Sequence, residues 1–139
     1  MQFPIHIPFV HTLGMQLESM GQGQACIGLD PRPDQCNSFG VAHGGLLMTL
    51  LDVVMAHAAR SEEPLERALQ TSVVTVEMKT SFMRPGRGVL RGHGRLLHRG
   101  AKLAFCEGRV EDESGQLLAH ATATFKFVPA PTPAQAGSD

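Results

Sequence analysis

Asn37, the pair Gly44–Gly45 and Asp52 fall within one stretch, "CNSFGVAHGGLLMTLLDVVMAHAAR", residues 36–60. Asp52 lies inside an otherwise apolar run, with no Lys or Arg within one helical turn. A buried carboxylate without a counter-charge is costly. A polar cleft holding water would justify it, and that is where a general base or nucleophile belongs. The competing reading is a structural carboxylate, tied to a cation or a backbone N–H from another element. Gly44 and Gly45 open the same run. N–H groups in the first turn of a helix have no intrahelical partner, and glycine lets a substrate oxygen come close to them. The positive end of a helix favours developing negative charge. An oxyanion hole of this kind is worth about 3–4 kcal/mol to a tetrahedral transition state. The glycines could equally serve close packing of helix on sheet.

Two neighbours also have two readings each. His43 could carry a proton or cap the helix. Asn37 could bind a carbonyl or support its own turn in a Pro-rich loop. Spacing adds a constraint. Gly44 and Asp52 are eight positions apart, about 12 Å of helical rise. A short Asp side chain does not span that. If both serve one reacting centre they come from different chains, with two antiparallel helices related by a two-fold axis.

The elements that must hold these residues follow from the rest of the chain. At 139 residues one domain is expected, over residues 1–128. The tail "PAPTPAQAGSD", residues 129–139, has no apolar anchor and is expected to be disordered. Twelve basic and 13 acidic side chains leave a net charge of −1, so charge announces no nucleic-acid partner. Trp and Tyr are absent, which leaves few stacking platforms for single-stranded nucleic acid. Cys26, Cys36 and Cys106 show no CxxC spacing. They read as free thiols in a reducing, cytoplasmic compartment. The start, "MQFPIHIPFV", has no basic region ahead of an apolar one and is not read as a signal peptide. Residues 41–59 approach membrane-spanning length. A carboxylate near the centre of such a span costs about 2.5–3.5 kcal/mol, so a buried helix of a globular protein is expected and no membrane partner.

That helix is expected over residues 43–60. Leu47, Leu50, Leu51, Val54 and Ala58 form one apolar stripe, and Met48, Thr49, Asp52, Ala56 and Ala59 form the opposite side. With so little charge on either side, the helix should be buried nearly all round. Before it lie a short helical lead-in and two short strands turning at Gly21–Gly23, and after it a polar connection with a helical turn. "TSVVTVEMKTSFMRP" alternates as a strand, with Val74, Val76, Met78 and Phe82 on one face and Thr75, Glu77, Lys79 and Ser81 on the other. "GRGVLRGHGRLLHR" reads as a strand whose glycines suggest bulges. Hairpins at Gly100 and at "ESGQ" lead into two more strands. The fold class is α+β, an antiparallel sheet of five or six strands curled around one long central helix.

The pattern N-x-x-G-x-x-H-G-G-x-x-x-x-L-x-D stands here as Asn37, Gly40, His43, Gly44, Gly45, Leu50 and Asp52. The strand "VTVEMKTSFMRP" and a closing "LLAHATATFKF" follow it. Over residues 8–128 the chain resembles the hotdog-fold acyl-CoA thioesterases, in particular the phenylacetic-acid-pathway (PaaI-like) type. The resemblance implies hydrolysis of acyl-CoA esters, or of acyl carrier protein thioesters, without metal or cofactor, by a homodimer that pairs into a dimer of dimers. It implies that the Gly44 N–H, helped by Asn37, binds the thioester oxygen, with Gly45 and Met48 beside the substrate. Asp52 of the facing subunit would act as base or nucleophile, and Thr75 would help it orient water. His43 would support the loop and the helix start. Arg84, Arg87, Arg99 and Lys102 would meet coenzyme A phosphates, Arg99 or Lys102 replacing an Arg that relatives place where this chain has Ala101. A hotdog hydratase or dehydratase is an alternative, but its usual His–Glu or Asp-x-Asn-Pro signatures are absent. A non-catalytic acyl-CoA binding module is the other, and the joint presence of Asn37, Gly44 and Asp52 argues against it.

Overall fold

The computed structural model describes residues 1–131. In chain order these form α1 (Pro8–Leu13), β1 (Gln16–Gly21), β2 (Gln24–Leu29), a 3₁₀ turn (Pro33–Gln35), α2 (Gly44–Arg60), α3 (Leu65–Gln70), β3 (Thr71–Phe82), β4 (Leu90–Arg99), β5 (Leu103–Glu111) and β6 (Leu117–Pro129). The six strands make one sheet in the order β1-β2-β4-β5-β6-β3, and every pairing is antiparallel. The sheet wraps α2, as the resemblance implies. No described helix is long and apolar enough to cross a membrane.

The stripe Leu47, Leu50, Leu51, Val54 and Ala58 is buried against the sheet. It packs on the inward residues of β6, where Ala119, Ala121, Ala123 and Phe125 alternate with more exposed neighbours. The other side of α2 differs from expectation at Ala59, which is fully buried. The less covered strip is Met48, Thr49, Asp52, Val53 and Ala56.

Glycines in β4 and β5 set the depth of the helix. A Cβ on Gly94 would lie 2.5 Å from the Val54 carbonyl oxygen, and one on Gly92 would lie 2.9 Å from Leu50. Gly94 pairs with Gly108 of β5, where a Cβ would come within 3.0 Å of Met55. The β4 glycines are therefore a floor under the helix and not the bulges expected. The β4 bulge lies between Leu96 and His98.

A second bulge corrects the faces of β3. Thr75 pairs with Phe125 and Glu77 with Thr124, leaving Val76 as an extra residue. An inserted residue reverses the alternation beyond it. Val73 and Thr75 therefore share the helix side with Met78 and Phe82, while Val74 turns outward, 47 % exposed. At the far end, Pro129 still pairs with Thr71, and the Ala130 N–H donates to the Gln70 carbonyl at 2.9 Å. The ordered chain thus passes the expected boundary at 128. Residues 132–139 of the expected tail lie outside the described residues.

Gly94→Ala drives a methyl into the helix backbone, which no side-chain rotation relieves. It should lower the free energy of unfolding by about 1–3 kcal/mol. Chemical denaturation with an unchanged midpoint would contradict the floor argument.

Candidate active site

The loop before α2 is closed on itself. Cys36 and Ala42 form a β-bridge, and the Asn37 N–H donates to the Val41 carbonyl at 2.8 Å. Gly40 turns the chain at φ 75°, a value glycine adopts without strain. Asn37 Oδ1 accepts the N–H groups of Phe39 at 2.9 Å and Val41 at 3.4 Å. The turn role foreseen for Asn37 is thus real, but it uses only the oxygen. The amide nitrogen Nδ2 keeps both hydrogens without a partner among the described residues, and Asn37 lines the adjoining cleft. The buried Gln35 anchors this loop. Its Nε2 donates to the Leu13 carbonyl at 3.0 Å, its Oε1 accepts from the Arg32 N–H at 3.0 Å, and its carbonyl accepts from the His43 N–H at 3.0 Å. Sequence reasoning missed Gln35, because a polar residue in a loop carries no signal of burial.

His43 is the N-cap of α2. Its Nδ1 accepts the Gly45 N–H at 2.9 Å, so a neutral ring carries its proton on Nε2. A Cβ on Gly45 would lie 3.1 Å from that Nδ1, so glycine makes room for the cap. Gly44 is different. Its N–H has no acceptor among the described residues, and a Cβ there would meet only the Phe82 ring, at an ordinary 3.5 Å. Packing on the sheet does not require this glycine. It borders an open cleft of about 540 Å³ lined also by Asn37, Phe39, Leu47, Phe82, Arg84 and Arg87. Free N–H and amide donors therefore converge on one cavity at the positive end of a helix.

Asp52 lies on the half-buried strip of α2 and does not line that cleft. Its Oδ1 accepts the Thr75 hydroxyl hydrogen at 2.6 Å. No cation pairs with it among the described residues. The β3 bulge is what turns Thr75 toward the helix for this bond.

The family model "Thioesterase superfamily" matches residues 39–119, from the Asn loop into β6. The chain belongs to the thioesterase superfamily. Over 136 residues it is 29 % identical to the Medium/long-chain acyl-CoA thioesterase YigI of Escherichia coli, covering 88 % of this chain and 87 % of that one. The conserved protein PA5202 from Pseudomonas aeruginosa superposes with a TM-score of 0.82 at 28 % identity, over 90 % of this chain and 97 % of that one. A mutant of the phenylacetic acid degradation protein PaaI from Thermus thermophilus superposes with a TM-score of 0.75 at 26 % identity, over 86 % and 98 % of the two chains. The fold is therefore the hotdog fold of PaaI-like thioesterases, and the protein is a thioester hydrolase.

The remaining sequence candidates of this thioesterase separate in space. Arg84 and Arg87 line the Gly44 cleft, and Arg84 Nη1 donates to the Leu117 carbonyl at 2.8 Å. Arg99 pairs with Glu63 and lies 4.0 Å over the Phe127 ring, so its guanidinium is already engaged. Neither Arg99 nor Lys102 lines the cleft of its own chain. Met48 sits on the exposed strip beside Asp52. The thiols are free, and two are poor nucleophiles. Burial and the neighbouring Glu18 push Cys26 up to about 11, and burial pushes Cys106 up to about 12. No group of three or more His, Cys, Asp or Glu could hold a metal ion among the described residues. Sequence reasoning also passed over Phe39 and the cleft side of Phe82.

The cap on α2 predicts a stability effect. His43→Ala leaves one more first-turn N–H unsatisfied and should cost about 0.5–2 kcal/mol of folding stability. Thermal unfolding reads this directly, and an unchanged midpoint would remove the capping role.

Proposed function

We propose that the protein hydrolyses acyl-CoA thioesters to the free acid and coenzyme A, at a site shared between two subunits of a homodimer. The carbonyl oxygen sits at the Gly44 N–H and Asn37 Nδ2 of one subunit. Asp52 of the facing subunit, held by the Thr75 hydroxyl, takes a proton from water, and the oxygen attacks the carbonyl carbon. The carbonyl π electrons move onto the oxygen and return as the C–S bond breaks. The departing thiolate takes up a proton. Direct attack by the Asp52 carboxylate is the nucleophilic variant, in which water then cleaves the acyl anhydride.

One observation carries the reading. Among the described residues the Gly44 N–H has no acceptor and the Asp52 carboxylate has the Thr75 hydroxyl but no cation, and the two occupy separate parts of one chain. A partner helix packed antiparallel on the strip Met48–Ala56 would bring each beside the other's counterpart. The second edge of β3 supports the same partner. It is a 12-residue edge strand, and Val76 on it is 56 % exposed; such an edge invites another strand. Arg84 and Arg87, which line the cleft, suit the phosphates of the handle; Gly45 lines a separate pocket beside His43 and Thr49. Arg99 and Lys102 could reach that handle only from another subunit. Dimers then pair into a tetramer. Free thiols and a coenzyme A substrate suit the cytoplasm. The name of the YigI relative favours medium to long acyl groups.

Thiol release from a panel of acyl-CoA esters tests the activity. Asp52→Asn should keep the fold and cut turnover by a factor of about 100 or more. Asn37→Ala should cut it by about one to three decades. A folded Asp52→Asn protein with near-normal turnover would end this mechanism, and a change in thermal stability alone for Asn37→Ala would leave Asn37 a turn residue.

A further inference from the structure

Phe39 stands out on the surface near the candidate site. At 83 % exposure it is the most exposed of the large apolar side chains described, although such a ring gains by burial. It is also held firmly. Asn37 Oδ1 accepts its N–H at 2.9 Å, and Gly40 closes the turn behind it. The ring lines the open cleft that Arg84 and Arg87 also line, and Arg87 makes no ion pair among the described residues. The anionic end of a substrate enters where the unpaired cations are. An acyl chain on so open a rim would stay wet along one side. A flat heterocycle needs only a one-sided platform, since stacking uses a single face.

We propose that Phe39 stacks on the adenine of the coenzyme A handle, with Arg84 and Arg87 on its phosphates, so that the site selects coenzyme A esters over thioesters carried on an acyl carrier protein. This rests on the acyl-CoA reading above and adds the recognition of the handle to it. An acyl carrier protein presents the same phosphopantetheine arm without a base, so it cannot use the ring. Phe39 binds substrate in this account and takes no part in proton transfer.

The test compares one acyl group on two handles, full coenzyme A and pantetheine without the nucleotide. For the wild-type protein, KM should be lower on coenzyme A. Phe39→Ala should raise KM for the acyl-CoA by roughly five- to a hundredfold, the range of base–aromatic stacking, with little change in kcat. Its effect on KM for the acyl-pantetheine, which carries no base, should be several-fold smaller, and Phe39→Trp should restore the low KM on the acyl-CoA. Equal losses on both handles would overturn the proposal, as would a loss that scales with acyl length. A shift in oligomeric state of Phe39→Ala by sedimentation would overturn it too, by making the ring a subunit contact. A wild-type protein that hydrolyses neither ester would remove the acyl-CoA reading itself, a result distinct from the others.

Discussion

The depth at which α2 sits in the sheet governs the rest of the molecule. Gly94 and Gly108 pair across β4 and β5; the helix backbone at Val54 rests where a side chain on Gly94 would be, and the Met55 side chain rests where one on Gly108 would be. Contact this close fixes the helix in rotation as well as depth. Leu50, Leu51, Val54 and Met55 point into the sheet and are fully buried. The same rotation leaves Asp52 on the half-buried strip, within reach of Thr75. It also sets the N-terminus of α2 against the closed loop that holds Asn37.

Hydrogen-bond accounting then distinguishes residues that stabilise from residues kept available. Most polar groups around the helix start are satisfied within the chain. Gln35 uses both ends of its amide, and His43 takes the Gly45 N–H. Among the described residues the Gly44 N–H and Asn37 Nδ2 are left over, and both residues line one cavity. Asp52 has a single neutral donor and no cation among the described residues. In the proposed shared site each of these groups gains a partner once a second subunit and substrate are in place.

Much of this was legible in the sequence. The helix bounds, the hairpins and the alternation of β6 follow from hydrophobic periodicity, because each element buries one face. The motif residues were legible because a carboxylate and a glycine pair contradict the apolar run around them. Three features were not. The bulge at Val76 obeys no pattern in "VVTVEMK", so simple alternation put Thr75 on the wrong face of β3. The β4 glycines signal a departure from ordinary strand packing, but not whether that departure is a bulge or a close approach. Ala59 is small and apolar, and periodicity alone cannot say which element covers it. Arg99 shows a further limit, since its engagement with Glu63 and Phe127 depends on tertiary contacts across 36 residues of chain or across the sheet.

The central claim is that each site takes its oxyanion donor from one subunit and its carboxylate from the other. Gly44→Pro removes the donor at a first-turn position where proline is tolerated, and His43 before it is already extended at ψ 139°. Asp52→Ala removes the carboxylate. Each variant alone should be nearly inactive. After the two are unfolded together and refolded as a mixture, random pairing makes about half of the dimers mixed, and each mixed dimer holds one site with both defects and one with neither. About a quarter of wild-type thiol release should return. Mixed dimers that demonstrably form yet show no activity above that of the two separate variants would contradict the shared site.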